Sequence, residues 1–127
     1  MKEFMLLIRN EIDSKNIFSP EQDKDFLKAC EVYIEALKKN NNLISAQPLV
    51  REGKMISGTN NSWKEDVFSE GKEVIVGYYR ILAKDLDDAV TIAKGNPEFA
   101  YTTTARIEVR PIKTMETTTN YVYPKGE

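Results

Sequence analysis

Glu108 and Arg110 stand two apart in Arg106-Ile107-Glu108-Val109-Arg110, a run that alternates polar and apolar residues. On an extended strand these charged side chains share one face. A guanidinium can hold a carboxylate ligand there, and Glu108 can act as a base toward it. The plainer reading is a cross-strand ion pair or a solvated sheet edge. Tyr78 and Arg80 are also two apart. An aromatic ring beside a cation suits a ring-bearing or anionic ligand, although interface packing with an arginine rim serves as well. Arg9 ends an apolar run and could complete an anion pocket, or simply stand exposed at a strand end. Trp63 and Asp66, with Glu65, sit in a polar stretch where loops commonly carry function. Asp66 or Glu65 would be a proton acceptor at the mouth of the cavity and Trp63 a ligand-binding group; ordinary loop acidity and, for Trp63, simple closure of the hydrophobic cavity are the plain alternatives. Glu108 decides between the two classes. Unpaired in an open polar cavity, it marks an enzyme. Paired to an arginine in a filled, dry pocket, it marks a binding or regulatory module.

Composition removes other chemistry. None of the 127 residues is histidine, which excludes the imidazole base, histidine triads and nearly all zinc and haem sites. The single cysteine, Cys30, has no disulfide partner within the chain and no histidine to activate it, so a small buried hydrophobe is expected. Scattered acidic residues and the spacing of the six glycines offer neither a metal site nor a phosphate cradle. No cofactor is expected. Eighteen basic against twenty acidic residues leave a net charge of -2, which recommends neither nucleic acid nor an anionic membrane surface. No apolar stretch approaches the roughly 20 residues needed to span a bilayer, and Met1–Asn10 lacks the features of a signal segment. Asn60-Asn61-Ser62 matches a glycosylation pattern but reads as a plain polar loop. These features point to a cytoplasmic protein.

The elements that must position these side chains follow from periodicity. Phe4–Ile8 is a short apolar run suited to a buried strand. Ser19, Pro20 and Gln22 form a helix start with a capping box, and Phe26, Cys30, Tyr33 and Leu37 recur as one apolar stripe, flanked by Leu27 and Ile34. Lys38-Lys39 and Asn40-Asn41-Asn42 close this helix. A strand over Leu43–Gln47 stops at Pro48, and Glu52-Gly53 suggests a hairpin turn between Leu49-Val50 and Met55-Ile56. Gly58–Lys64 reads as a loop. Val74–Ala83 is the strongest strand. Asp85 and Asp88 repeat the cap spacing before a second helix, which Gly95-Asn96-Pro97 ends, and Arg106–Arg110 forms the last strand. The order is strand, helix, strand, small hairpin, strand, helix, strand, a split βαβ arrangement with an inserted hairpin. Residues 1–112 then form one α+β domain and residues 113–127 a partly ordered tail, in which Tyr121-Val122-Tyr123 could dock.

Strict alternation along the long strand puts Val74, Val76, Tyr78 and Leu82 on one face and Ile75, Tyr79 and Ile81 on the other. Two helices cover only one face of such a sheet. The other is too apolar to face bulk water, so a homodimer through the helix-free face is expected, burying about 800 Å² per partner.

Phe68-Ser69-Glu70-Gly71-Lys72-Glu73 followed by Gly77-Tyr78-Tyr79 resembles the central block of the YCII-related, or DGPF-motif, family. Met5-Leu6-Leu7-Ile8, Asp85-Leu86-Asp87-Asp88-Ala89 and Glu108-Val109-Arg110-Pro111-Ile112 are similar to its opening, its second-helix start and its final strand. The resemblance implies a ferredoxin-like βαββαβ chain with a hairpin insertion, pairing as a dimeric α/β barrel. Some relatives are dehalogenating or lactone-processing enzymes, and others are encoded with or fused to alternative sigma factors. The first expectation is therefore a barrel that binds small organic acids, with weak lyase or isomerase activity; the alternative is a non-catalytic protein-interaction or regulatory module. The D-G-P-F signature is here Glu65-Asp66-Val67-Phe68, without its Gly-Pro turn. The family's histidine-using branch is excluded.

Overall fold

The computed structural model describes residues 1–68 and 72–125. Ser69-Glu70-Gly71, part of the family-like block, lie outside the described residues. The elements are β1 (Lys2–Glu11), α1 (Pro20–Lys39), β2 (Leu43–Pro48), β3 (Lys54–Thr59), β4 (Ser62–Val67), β5 (Glu73–Ala83), α2 (Leu86–Lys94), α3 (Glu98–Tyr101) and β6 (Arg106–Pro111), with a short 3-10 turn at Ser14–Ile17. Four strands form an antiparallel sheet in the order β2-β5-β1-β6, an α+β arrangement compatible with a ferredoxin-like fold.

The core sits between this sheet and α1 and α2. Phe4, Leu6 and Ile8 alternate inward from β1, and Tyr79, Ile81 and Ala83 do so from β5. They meet Leu37 of α1 and Ala89 and Ala93 of α2. The alanines let α2 lie close to the sheet. Tyr33 ties the helices together: its hydroxyl donates to the Ile92 carbonyl at 2.6 Å, while its ring meets Tyr79 edge-on.

Both helix starts follow the sequence. Ser19 accepts from the Gln22 amide and Gln22 accepts from the Ser19 amide, the full capping box, with Pro20 in the first position. Asp85 accepts from the Asp88 amide, whereas Asp88 reaches back one residue further, to the Lys84 amide. Asn41 stops α1 in the left-handed conformation, at φ 60°.

Two expectations need correction. The first concerns the faces of β5. Ile8 pairs with Gly77 and Arg9 with Ile75, so Val76 is an extra, bulged residue that breaks strict alternation. Val74 and Val76 thereby join Tyr79 and Ile81 at the core, and Ile75 joins Tyr78 and Leu82 on the open face. The second concerns the hairpin. Glu52-Gly53 is not its turn, and Gly58–Lys64 is not a loop: β3 and β4 pair from Lys54↔Val67 to Thr59↔Ser62, joined by Asn60-Asn61. Asn61 supplies the left-handed residue, at φ 74°. Gly58 is required beside it, because a Cβ there would lie 2.1 Å from the Ser62 carbonyl oxygen. Gly53 is small for another reason, the Phe68 ring that packs against it. Every residue of β3 and β4 is exposed, so the pair is an arm outside the main sheet. The tail folds on itself through a bridge between Met115 and Val122, and Lys125 lies 3.7 Å from Glu3. Among the described residues, no helix is long and apolar enough to cross a membrane.

Candidate functional site

The register brings five of the seven candidate residues onto the helix-free face. Leu7 pairs with both Tyr78 and Glu108, Met5 with Arg80 and Arg110, and Arg9 with Arg106. Residues that pair across antiparallel strands share a face. Arg9, Tyr78, Arg80, Glu108 and Arg110 therefore surround Met5 and Leu7 on one surface.

Their charges are paired with one another. Glu108 is held on both sides, its Oε1 3.4 Å from Arg9 Nη1 and its Oε2 3.6 Å from Arg110 Nη1. Arg9 donates its Nε to Glu73 Oε1 at 2.8 Å. Arg106 engages both oxygens of Glu73, at 2.7 and 2.6 Å, in the two-pronged geometry that favours arginine over lysine. The result is an alternating chain of Arg106, Glu73, Arg9, Glu108 and Arg110 across three strands. Arg80 forms a separate pair with Glu3, donating at 3.0 and 2.6 Å. Tyr78 is half-buried between these groups.

Hydrogen bonds from Arg106 and then Arg9 hold the Glu73 carboxyl down at about 2, against a usual carboxylate value of 4.5. A depressed folded-state value stabilises the fold above the unfolded group's range, and that contribution is lost as pH falls toward the folded value. Wild-type protein is therefore expected to exceed Glu73→Gln in stability by a constant margin near neutral pH. The margin should shrink as pH falls from roughly 5 to about 2. Urea melts at stepped pH check this; a margin independent of pH would refute it.

Trp63 and Asp66 lie on the exposed arm, three residues apart on one strand, and hence on opposite faces. Trp63 stands across from Gly58, and Asp66 lies 3.8 Å from Lys64. Glu65, on the Trp63 face, pairs with Lys54 at 3.2 Å. Among the described residues, no group of three or more Cys, Asp or Glu side chains is placed to hold a metal ion.

Sequence reasoning missed a second polar assembly, on the helix side. Asn10 is fully buried. Its Nδ2 donates to Glu98 Oε1 at 2.9 Å and to Thr102 Oγ1 at 3.0 Å, and its Oδ1 accepts from the Thr104 hydroxyl and the Glu11 amide. Arg51 lies near the same end of the fold and donates to the Glu11 and Ile12 carbonyls. The signal was present: Phe4, Leu6, Ile8 and Asn10 share one alternating face, which puts an amide at a core position. Beside this assembly, under α1, lies a mostly apolar cavity that Cys30 helps to line. Burial first, and then the negative charge of Glu98, pushes the Cys30 thiol up to about 11. It is therefore a protonated, weakly nucleophilic group.

A comparison with curated proteins returns no match. The family model of the YCII-related domain matches residues 2–116, which takes in every strand and helix of the main sheet and the arm. The chain accordingly belongs to the YCII-related domain family.

Proposed function

We propose that the chain works as a homodimeric α/β barrel, two copies joined through their helix-free sheet faces. In this reading it is a binding or regulatory module rather than an acid–base enzyme. The observation that supports this is the engagement of Glu108, whose two oxygens are each turned to an arginine. A general base needs a lone pair directed at substrate; here a substrate would first have to displace Arg9 or Arg110. The same pairing suits an interface. Charges already matched within one chain can be covered without stranding a partner, which is the costly outcome. Met5, Leu7, Ile75, Tyr78 and Leu82 supply the apolar area between them. A cytoplasmic location fits the single free thiol, Cys30.

The competing reading is a lyase or isomerase of small organic acids, with Glu108 or Asp66 as base and Arg9, Trp63, Tyr78, Arg80 and Arg110 as binding groups. A thermal-shift series with small aromatic and aliphatic carboxylates separates the two. No rise in melting temperature that depends on Arg80 and Arg110 is expected. A concentration-dependent rise that disappears in Arg80→Ala and Arg110→Ala, with the fold retained, would restore the enzyme reading.

A further inference from the structure

Under α1, where it faces β2 and β5, the fold leaves a cavity of about 300 Å³. That is the small end of the range for ligand pockets. Its walls are mostly carbon, from Phe26, Leu27, Ile34, Val76 and Tyr79. A deeply buried acid is set among them, Glu98 at the start of α3.

Glu98 is 8% exposed. A carboxylate so deeply placed ordinarily has its charge paired and both oxygens satisfied. Here one oxygen is. Oε1 accepts from Asn10 Nδ2 at 2.9 Å. Oε2 accepts no hydrogen bond from the described residues, and none of their ion pairs involves Glu98. Oε2 is nevertheless not sealed in. Among the described residues, the fully enclosed side-chain atom without a partner is Asn96 Nδ2, so the free carboxylate oxygen keeps accessible surface. That surface belongs to the cavity. Glu98 lines it, and the negative charge of its carboxylate acts on three other lining groups, Cys30, Arg51 and Tyr79.

The two cations that line the cavity are engaged elsewhere. Arg51 donates to the Glu11 and Ile12 carbonyls and to Ser14 Oγ. Lys15 lies 4.0 Å from Asp23 and 5.3 Å from the centre of the Phe26 ring. Oε2 is therefore left to a donor from outside the chain. A neutral hydroxyl would satisfy its lone pair but not the charge, whereas an ammonium satisfies both. An anion would meet a like charge in apolar surroundings. We propose that the cavity under α1 binds a small primary amine in its ammonium form, which donates to Glu98 Oε2 and lays its hydrocarbon body against Phe26, Ile34 and Val76. The cavity lies on the helix side of the sheet, so this proposal rests neither on the dimer nor on Glu108.

The test uses the full chain labelled with ¹⁵N and three probes of one shape: cyclohexylamine, cyclohexanol and cyclohexanecarboxylate. At neutral pH cyclohexylamine is expected to shift the backbone amide resonances of Cys30, Ala46 and Gly77 saturably, with Kd about 1 mM. The alcohol should bind at least about tenfold more weakly, and the carboxylate more weakly still. Glu98→Gln keeps an acceptor for Asn10 and removes the charge, so it should weaken the amine at least about tenfold while the spectrum stays folded. Shifts that do not saturate, or that fall only outside the cavity, would overturn the proposal. So would alcohol or carboxylate binding as tight as the amine, or an unchanged Kd in folded Glu98→Gln. Should that variant not fold, the comparison of the three probes on the wild-type chain decides the matter alone.

Discussion

Replacing Asn10 by leucine is expected to lower the stability of the fold by about 3 kcal/mol. The substitution keeps the number and branching of side-chain heavy atoms and places an apolar group on an apolar face, so area bookkeeping alone would forecast a gain. The opposite is expected because of what Asn10 satisfies. Its amide is a donor to the 8%-exposed Glu98 and to Thr102, and an acceptor for Thr104 and the Glu11 amide. Leucine leaves a buried carboxyl group, two hydroxyls and a backbone donor without that partner. The effect also spreads, since Asn10 pins the end of β1 to α3 and to the segment leading into β6. Thr104→Val removes a single hydrogen bond of the same assembly and should cost about 1 kcal/mol. Urea denaturation at fixed protein concentration measures both. With a slope of about 1.5 kcal/mol/M, the midpoint for Asn10→Leu should fall by about 2 M. A value within about 0.5 kcal/mol of wild type would show that the assembly is not structural.

Asn10 also shows where the sequence is legible and where it is not. Features decided within a few residues can be read directly. Ser19, Pro20 and Gln22 specify a helix start by themselves, and the period-two pattern of Phe4, Leu6 and Ile8 specifies a strand with one buried face. The ladder Arg106, Glu108 and Arg110 reads correctly for the same reason. Features decided between distant segments do not. Val76 becomes a bulge only because Ile8 and Arg9 pair with Gly77 and Ile75, a register set by β1, far away in sequence. Alternation read along β5 alone therefore assigns Val74 and Val76 to the wrong face. The arm misleads in a different way. Gly53 attracts a turn assignment, yet its smallness serves the Phe68 ring, while the turn belongs to Asn60-Asn61 with Gly58 beside it. The candidate site shares this division. That Glu108 and Arg110 share a face is local; that Arg9 lies between Glu73 and Glu108 depends on three strands meeting. The cavity under α1 has no sequence signature, because segments far apart in the chain line it together.

Substituting Leu7 by glutamate is expected to have the largest effect on assembly. Leu7 lies on the central strand β1, flanked by Tyr78 on β5 and Glu108 on β6, and so occupies the middle of the open face. It is half-buried within one chain, so the variant should fold. In a face-to-face dimer the new carboxylate would be buried beside Glu108, with Arg9 and Arg110 already shared. An unpaired buried charge costs several kcal/mol. Dimer affinity should accordingly fall by at least about 100-fold, near 3 kcal/mol. Val32→Glu, on the exposed surface of α1, changes charge by the same amount and should leave assembly intact.

Sedimentation equilibrium of wild type, Leu7→Glu and Val32→Glu at matched concentrations tests the sheet-face dimer most directly. Wild type and Val32→Glu are expected to sediment at twice the 14.5 kDa chain mass and Leu7→Glu at the single-chain mass. A wild-type protein at 14.5 kDa, or a Leu7→Glu variant that remains dimeric, would contradict it.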